Sequence, residues 1–505
     1  MAATLNILAV TDLHYTGQAP AGPVSTRRGE FGALFLRKAL HRLKHQGQAV
    51  DLVVILGDLV DRGTAEGAAA DLDTLARTVR ELDVPAIVVP GNHDLGPGGT
   101  LHGIFTPPGL YELGGYGFWI FHDEVGEGDR TTRSAASLAA LAATAARRPD
   151  LPLIALQHNP LAPHIGADYP YMLTNEEAAL RACEECGVML SLSGHYHAGQ
   201  PPERHGPLTC YTVPALCEAP FRFAHIRLEG RAVRITEHHL PMDVSGLVDT
   251  HCHTEFAYCG TTVNAAACIA VSEALGLAGL CLTEHTFQLY FDSPDAWSWR
   301  WQSDAEMVRK AWATRSGRMD AYRAASRAWR SGFVRLGLEV DLLADGQLLL
   351  APADREGWDL LVGAVHVLPG YVKGQTTQAQ TEEIFLRHVE HLLQQPIQVL
   401  AHPFRFFRRE GLVVPTHLYG PVAELLARHG VAAEVNFHTN QPDPRFYAEC
   451  AARGARIALS SDSHDLVETG EFTPHLRLLE AAGIGADRWS DMLLCPAAAL
   501  PQGVP

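Results

Sequence analysis

Histidine is frequent in this sequence, and many of the histidines stand in short blocks with other metal-ligating residues. The chain has 26 histidines among 505 residues. In the first half, five such blocks each follow an apolar run, and they are Asp12-Leu13-His14, Gly57-Asp58-Leu59-Val60-Asp61, Gly91-Asn92-His93-Asp94, Gln157-His158-Asn159 and Gly194-His195-Tyr196-His197. Imidazole and carboxylate ligands suit manganese, iron and zinc. The blocks therefore predict a metal site.

These residue types suit the hydrolysis of phosphate esters by two metal ions. Two divalent ions about 3.5–4 Å apart can clamp a phosphoryl group and share a hydroxide nucleophile. Such a pair needs a bridging carboxylate, for which Asp58 is the candidate. A histidine that does not bind metal should protonate the leaving oxygen. His93 is placed for that role, and we expect Asp94, the next residue, to orient it.

The second half repeats this arrangement with different spacing. Its blocks are Asp249-Thr250-His251-Cys252-His253, Thr283-Glu284-His285, Gly337-Leu338-Glu339-Val340-Asp341, Gly363-Ala364-Val365-His366, Ala401-His402-Pro403 and Ser461-Asp462-Ser463-His464. The two sets of blocks together hold 11 of the 26 histidines. The sequence thus predicts two separate metal sites, one in each half.

The elements that must position these blocks are short strands alternating with helices. In the first half the strand-like runs are Leu5–Val10, Leu52–Leu56, Ala86–Val89, Phe118–Phe121, Leu153–Leu156 and Val188–Leu192. In the second half they are Leu247–Asp249, Gly279–Leu282, Val334–Val340, Leu360–Val365, Gln398–Leu400, Ala432–Val435 and Ile457–Leu459. Such alternation predicts α/β architecture in both halves, with sites at the carboxyl ends of the strands. We place the boundary near Met242–Gly246, which gives domains 1–243 and 244–505.

Composition narrows the range of partners. Apolar residues make up 47% of the chain, enough for two cores, and the net charge is −17. An acidic surface repels polyanions, so nucleic acid and anionic membranes are disfavoured as partners. The sequence shows no secretory signal and no apolar run long enough to span a bilayer. With ten irregularly spaced cysteines, we expect a cytoplasmic protein with free thiols.

The first half resembles the calcineurin-like metallophosphoesterases, and most of all their cyclic-nucleotide-hydrolysing group. The matching pattern is D-x-H, G-D-x-x-D, G-N-H-D, H and G-H-x-H, over about residues 5–240. The resemblance implies an α/β sandwich that binds two ions of Mn, Fe or Zn. It assigns one ion to Asp12, His14, Asp58 and His197, and the second to Asp58, Asn92, His158 and His195. Asp61 is expected to brace its turn rather than bind metal.

The second half, over about residues 247–470, is similar to the PHP domain, the fold of histidinol-phosphate phosphatases. The resemblance implies a distorted (β/α)7 barrel that holds two or three ions of Mn, Zn or Fe. It assigns the first ion to His251, His253, Glu339 and Asp462, and the second to His366, His402 and the bridging Glu339. A third would use His285, His464 and Cys259, where the family commonly has His or Asp. Cys259 is therefore either a ligand or a small buried cysteine.

Two further features lie close to the second set of blocks. Arg405 follows a ligand-bearing strand directly, so we expect it to contact a phosphate. Trp297, Trp299 and Trp301 fall in the long insertion between the second and third strands. Core packing is the favoured interpretation of these tryptophans, and a lid that stacks on a nucleobase is the alternative.

Together these observations predict a bifunctional metal-dependent phosphohydrolase. The first domain would cleave a small phosphodiester resembling a cyclic nucleotide. The second would use metal-activated hydroxide on a phosphomonoester or a small cyclic phosphodiester. The alternatives are a nucleic-acid-processing nuclease, or a protein in which one domain has lost its activity and is regulatory. The expected substrate is a small phosphorylated molecule, with a nucleotide as one option. The sequence leaves open its identity, the native metals, the oligomeric state and whether the two domains act in sequence.

Overall fold

A computed structural model describes residues 4–314 and 317–496 of the chain. The structure divides into two compact units, Met1–Pro241 and Met242–Pro505. Both units are mixed α/β, as predicted. Among the described residues, no helix has the length and apolar character that crossing a membrane requires.

The first unit is a sandwich of two β-sheets covered by helices. Its strands are β1 (Thr4–Val10), β2 (Leu52–Leu56), β3 (Ala86–Val89), β4 (Gly109–Leu113), β5 (Tyr116–Ile120), β6 (Glu124–Val125), β7 (Thr131–Thr132), β8 (Leu153–Leu156), β9 (Val188–Ser193), β10 (Gln200–His205), β11 (Leu208–Thr212), β12 (Arg222–Glu229) and β13 (Ala232–His239). Its helices are α1 (Gly32–His45), α2 (Ala68–Glu81), α3 (Ala135–Arg147) and α4 (Glu176–Glu185). One sheet has the order β13-β12-β1-β2-β3, and the other has the order β10-β11-β9-β8-β5-β4.

The sandwich forms because its central strands are apolar on both faces. β2 has the sequence Leu-Val-Val-Ile-Leu and is buried along its whole length, as is typical of a parallel strand covered on both sides. Ile7 and Val54 of one sheet belong to the same buried cluster as Ile154 and Leu190 of the other. β1, β2 and β3 are mutually parallel, as are β8 and β9. Within each sheet, the polar residues that follow these strands are therefore brought to one edge.

The second unit is a seven-stranded parallel barrel that is nearly closed. Its strands are β14 (Val248–Cys252), β15 (Gly279–His285), β16 (Val334–Asp341), β17 (Leu360–Ala364), β18 (Val399–Leu400), β19 (Ala432–Val435) and β20 (Ile457–Leu459). They pair in chain order, and a bridge between Cys252 and Ser463 joins the first strand to the segment after the last. The predicted distorted (β/α)7 barrel is therefore confirmed.

Helices surround the barrel and separate its strands. They are α5 (Ala265–Ala274), α6 (Thr286–Tyr290), α7 (Ser293–Trp297), α8 (Ala305–Thr314), α9 (Gly317–Trp329), α10 (Gln378–Leu393), α11 (Arg405–Arg409), α12 (Tyr419–His429), α13 (Pro444–Arg453), α14 (Thr473–Ala481) and α15 (Trp489–Met492). Leu338, Val340, Phe385 and Leu426 belong to the large buried cluster between strands and helices. This rigid shell leaves the carboxyl ends of the strands to carry polar side chains.

Candidate metal centres

In the first unit, each ligand block follows the carboxyl end of a buried parallel strand. Asp12 and His14 follow β1, Asp58 follows β2, and Asn92 follows β3. His158 follows β8, and His195 and His197 follow β9. The backbone is left-handed at Asp12, His14, Asp58 and His195, with φ between 44° and 67°. Such conformations cost about 1–3 kcal/mol each and cluster at functional sites. These strained turns therefore lower the stability of the fold, and they set the direction of the proposed ligand side chains.

Asp58 lies between two groups of predicted ligands. Its Oδ2 is 3.7 Å from His14 Nε2 and 3.3 Å from His158 Nε2. On the first side, His197 Nε2 lies 3.2 Å from His14 Nε2 and 3.5 Å from Asp12 Oδ1. The structure therefore brings together the four side chains predicted for the first ion, with the Asp58 carboxylate facing both groups.

The second group is equally close. His158 Nε2 lies 3.2 Å from Asn92 Oδ1 and 3.0 Å from His195 Nδ1. Burial alone would raise the pKa of Asp58, but His158, His93 and His14 outweigh it and hold this pKa well below its usual range. Asp58 thus stays ionised inside the protein, as a bridging carboxylate must.

His93 is held by the backbone of a neighbouring loop. Its Nδ1 donates to the carbonyl of Asp61, which leaves Nε2 for another partner, and the ring belongs to the lining of a cavity of about 610 Å³. Asp94 does not contact this ring through any described hydrogen bond; it accepts from the backbone N–H groups of Leu59, Val60 and Gly91. The predicted orienting role of Asp94 is therefore corrected: Asp94 ties two ligand loops together, and a carbonyl orients His93.

In the second unit, Glu339 is the centre of the predicted ligands. It stands near the end of β16, fully buried, and its carboxylate faces five imidazoles. Oε2 lies 3.5 Å from His251 Nε2, 3.7 Å from His253 Nε2 and in contact with His285 Nδ1; Oε1 lies 3.4 Å from His366 Nε2 and 3.1 Å from His402 Nε2. Burial would raise the pKa of Glu339, but the histidines around it hold this pKa well below its usual range.

Asp462 and His464, after β20, complete this cluster. Asp462 Oδ1 lies 3.0 Å from His253 Nε2 and 3.6 Å from His251 Nε2. His253, His285 and His464 each offer a ligand atom within 4.8 Å of the others. All the histidines and carboxylates predicted for the barrel site are thus brought to one end of the barrel.

Cys259 stands at the edge of the same cluster. Its Sγ lies 3.5 Å from His285 Nε2 and accepts a hydrogen bond of 3.2 Å from the Gln288 side chain. Burial raises the pKa of the Cys259 thiol to about 12. The thiol is close enough to His285 to share an ion with it, and its ligation stays a prediction.

The hydrogen bonds on the outer side of the histidines fit metal binding. In four imidazoles Nδ1 donates to an outer acceptor, and Nε2 is left facing its cluster. The pairs are His158 with the Leu56 carbonyl (2.7 Å), His197 with Glu218 (3.0 Å), His251 with Glu434 (2.8 Å) and His366 with Asp341 (2.9 Å). Such partners fix the tautomer that a metal ligand needs. Three buried atoms that lack a hydrogen-bond partner also fit metal binding, because a bound cation would satisfy them. They are Asp12 Oδ1, His251 Nε2 and Glu339 Oε2.

Sequence reasoning missed Glu434 and Glu218. Glu434 lies in β19, is fully buried, and accepts from His251 Nδ1 and from the backbone N–H of His402. The available signal was a single carboxylate inside the otherwise apolar run Ala-Ala-Glu-Val. Glu218 lies outside any ligand-like block, so nothing in its local sequence marked it. Asp61 pairs with Arg27 at 2.8 Å, and its role in bracing the turn rather than binding metal stays a prediction.

Arg405 lies beside the barrel cluster and contacts two predicted ligands. Its Nη1 lies 3.2 Å from Asp462 Oδ2, and its Nη2 lies 2.8 Å from His402 Nε2. The residue also lines a cavity of about 920 Å³ that opens from the cluster. A guanidinium in this position can meet an anion that enters the cavity.

Each half of the chain is similar to known proteins. The family model for calcineurin-like phosphoesterases matches residues 5–199, and the model for PHP domains matches residues 249–438. No curated protein matches the chain significantly. Similar solved structures include a dimetal phosphatase from Danio rerio, at 16% identity over 47% of this chain and 99% of that one, with a TM-score of 0.36. Another is a protein assigned as a histidinol phosphatase from Listeria monocytogenes, at 14% identity over 44% and 97%, with a TM-score of 0.30.

The fold and the two carboxylate–histidine clusters define metal-dependent phosphoesterases. The chain carries a calcineurin-like phosphoesterase domain over residues 5–199 and a PHP domain over residues 249–438. Both families use divalent metals, and the clusters described here have the donor atoms to bind them.

Proposed function

We propose that this chain is a bifunctional phosphohydrolase, in which the calcineurin-like domain cleaves a small phosphodiester and the PHP domain a phosphomonoester. The observation that carries this proposal is the different set of charged residues that line the two cavities. The first is lined by Asp129 and Glu218 besides the proposed ligands, and by two arginines, Arg62 and Arg27, of which Arg27 is paired with Asp61. Among the described residues, the lining of the second includes Arg405, Arg408 and Arg409 and no carboxylate.

The charge of the substrate follows from this difference. A phosphodiester carries one negative charge near neutral pH, whereas a phosphomonoester carries nearly two. A dianion is attracted more strongly to a wall of guanidinium groups. The cavity with acidic residues suits the diester, and the arginine-lined cavity suits the monoester. Hydrolysis of a diester also yields a monoester, the class of substrate that the second domain would take.

In the first domain the proposed ligands are those placed around Asp58, for two ions of Mn, Fe or Zn. Such ions, when bound, polarise phosphoryl oxygens and lower the pKa of water. The protein itself contributes His93, whose Nδ1 is held by the Asp61 carbonyl. The protonated ring would deliver its Nε2 proton to the oxygen that leaves the phosphorus. Asp94 keeps the Asp58 and Asn92 loops together through its backbone hydrogen bonds.

In the PHP domain the proposed ligands are those around Glu339, for two or three ions of Mn, Zn or Fe, with Cys259 included. Arg405 would orient the phosphate, since its guanidinium already bridges His402 and Asp462 at the floor of the cavity. The ion pair with Asp462 holds the guanidinium group of Arg405 in place before the substrate binds, and this lowers the entropic cost of binding. The expected partner is thus a small phosphorylated molecule.

A matched pair of isosteric variants tests this division of labour. Asp58→Asn and Glu339→Gln each remove one bridging charge, and each serves as the control for the other. With Mn²⁺, Asp58→Asn should abolish hydrolysis of bis(p-nitrophenyl) phosphate and spare that of p-nitrophenyl phosphate; Glu339→Gln should do the reverse. Loss of both activities in one variant, or neither activity in the wild type, would contradict the proposal.

A second variant tests the proton donor. His93→Asn should reduce diester cleavage by about 10²–10⁴-fold. It should leave the number of ions bound per chain, measured by elemental analysis, unchanged. A variant that loses an ion instead would show that His93 acts through the metal site rather than on the leaving oxygen.

A further inference from the structure

The cavity of the PHP domain has an aromatic side that the proposed hydrolysis does not use. Phe287, Trp297 and Trp299 line it, opposite in character to the arginines of α11. The aromatic residues lie in the segment that follows β15, directly after the proposed ligand His285.

The inner rings are packing residues. Trp301 is fully buried, stacks on Phe287 at 5.5 Å and 14°, and donates from Nε1 to the Ala296 carbonyl. Phe287 in turn lies 4.9 Å from the His285 ring. These residues form a fixed base under the wall of the cavity, as the packing interpretation of the sequence expects.

Trp299 is also covered. Its ring lies 5.9 Å from His366 at an interplanar angle of 27°, and the guanidinium carbon of Arg409 lies 5.9 Å from its centroid. Its backbone is left-handed, with φ of 56°, a strained conformation for a bulky side chain. Neighbours on several sides therefore hold Trp299 as a spacer between the ligand cluster and the outer wall.

Trp297 differs from the other tryptophans. It is 41% exposed, whereas the other tryptophans of the described chain are buried or half-buried. Its ring contacts with Phe287 and Trp299 are edge-on, at 71° and 72°. No described ring stacks parallel on it. A large apolar ring that lines a cavity without a stacked partner is suited to take a planar group from a ligand.

We propose that the PHP site selects phosphomonoesters that carry a planar aromatic group, such as nucleoside monophosphates, and that Trp297 is the platform on which this group stacks. The inference rests on the proposed monoesterase function of the same site. Trp297 contacts Trp299 at 5.8 Å between ring centroids, and Trp299 contacts the proposed ligand His366 at 5.9 Å, so this arrangement suits an aromatic group joined to its phosphate through a spacer. A nucleobase, linked to phosphate through a sugar, has that form.

Two substrates with the same leaving alcohol test this selection. Adenosine 5′-monophosphate and ribose 5-phosphate both release a primary 5′-alcohol, and they differ in the presence of the base. Full-length protein carrying Asp58→Asn, which silences the first domain, should have a higher kcat/KM for the nucleotide. Trp297→Ala and Trp297→Leu should lower that value about 5- to 100-fold, since aromatic stacking on a base contributes on that order. Hydrolysis of ribose 5-phosphate should change less than twofold.

The controls separate stacking from other effects. Trp297→Phe retains a planar ring and should recover most of the preference, whereas Trp297→Leu retains apolar volume alone and should not. Val413→Ala changes a side chain that is 75% exposed and outside the cavity, and it should leave both substrates unaffected. Equal loss for both substrates, or no loss for either, would overturn the assignment of Trp297.

A binding measurement keeps this inference distinct from the proposed function. If the protein hydrolyses ribose 5-phosphate and shows no preference for the nucleotide, the monoesterase proposal stands and the aromatic platform is wrong. If neither compound is hydrolysed, hydrolysis of p-nitrophenyl phosphate decides the monoesterase proposal separately. Calorimetric titration of both compounds then decides alone: a nucleotide preference that Trp297→Leu removes supports the platform, and equal affinities refute it.

Discussion

Replacement of Glu434 by glutamine should weaken metal binding in the PHP domain, although it replaces none of the proposed ligands. Glu434 accepts three hydrogen bonds: its Oε1 accepts from His251 Nδ1 at 2.8 Å, and its Oε2 accepts from the His402 N–H at 2.5 Å and from Asn436 Nδ2 at 3.0 Å. All three partners are donors. A glutamine side chain offers one oxygen and one NH₂ group, so it cannot accept from all of them.

Each orientation of the glutamine amide has a definite cost. With its NH₂ group toward His251, the imidazole must move its proton to Nε2, the nitrogen that faces the ligand cluster. With the NH₂ group toward His402 and Asn436, two buried donors lose their acceptor, at about 1–3 kcal/mol each. Loss of such an outer partner typically lowers metal affinity or activity 10- to 100-fold. We expect an effect of that size on the Mn²⁺ dependence of monoester hydrolysis.

The other domain provides the control within the same molecule. Monoester and diester hydrolysis should be titrated with Mn²⁺ in Glu434→Gln, in the wild type and in Glu424→Gln, an exposed change on α12. The Mn²⁺ midpoint should rise for monoester hydrolysis in Glu434→Gln alone, and the diester midpoint should not move. A monoester midpoint within twofold of the wild type would refute the argument that Glu434 fixes the tautomer of His251.

Three further predictions concern other side chains. Glu218→Ala removes the acceptor that orients His197 at 3.0 Å and should raise the Mn²⁺ midpoint of diester hydrolysis about 10- to 100-fold; an unchanged midpoint would exclude that role. Cys259→Ala should lower the ions bound per chain by one, measured by elemental analysis, and an unchanged content would make Cys259 a packing residue. Burial, with His391 nearby, lowers the pKa of His388 from 6.5 to about 4. Neutral His388 therefore contributes stability that is complete above pH 6.5 and is lost as pH falls toward 4, by about 3 kcal/mol. His388→Gln should flatten the pH dependence of the denaturation midpoint in that range, and identical slopes would contradict this.

Much of the fold was predictable because the strands are short apolar runs with polar ends. β2 is buried on both faces, so its sequence is continuously apolar until the ligand residues begin, and β16 is buried along its length except at Arg335. The same regularity makes Asp58 and Glu339 recognisable, since a carboxylate at the end of such a strand has no role in packing. The placement of Trp297 was not predictable, because an exposed and a buried tryptophan look alike in sequence.

The sequence by itself determined which side chains are available to bind metal and at which strand ends they stand. Only the tertiary structure decided which of them meet, because contacts such as that of His251 with Glu434, or of His197 with Glu218, join residues far apart in the chain. It also decided that Asp94 holds backbone amides instead of His93. A hydrogen bond depends on distance and direction in space, and local sequence specifies neither across strands that are brought together by folding.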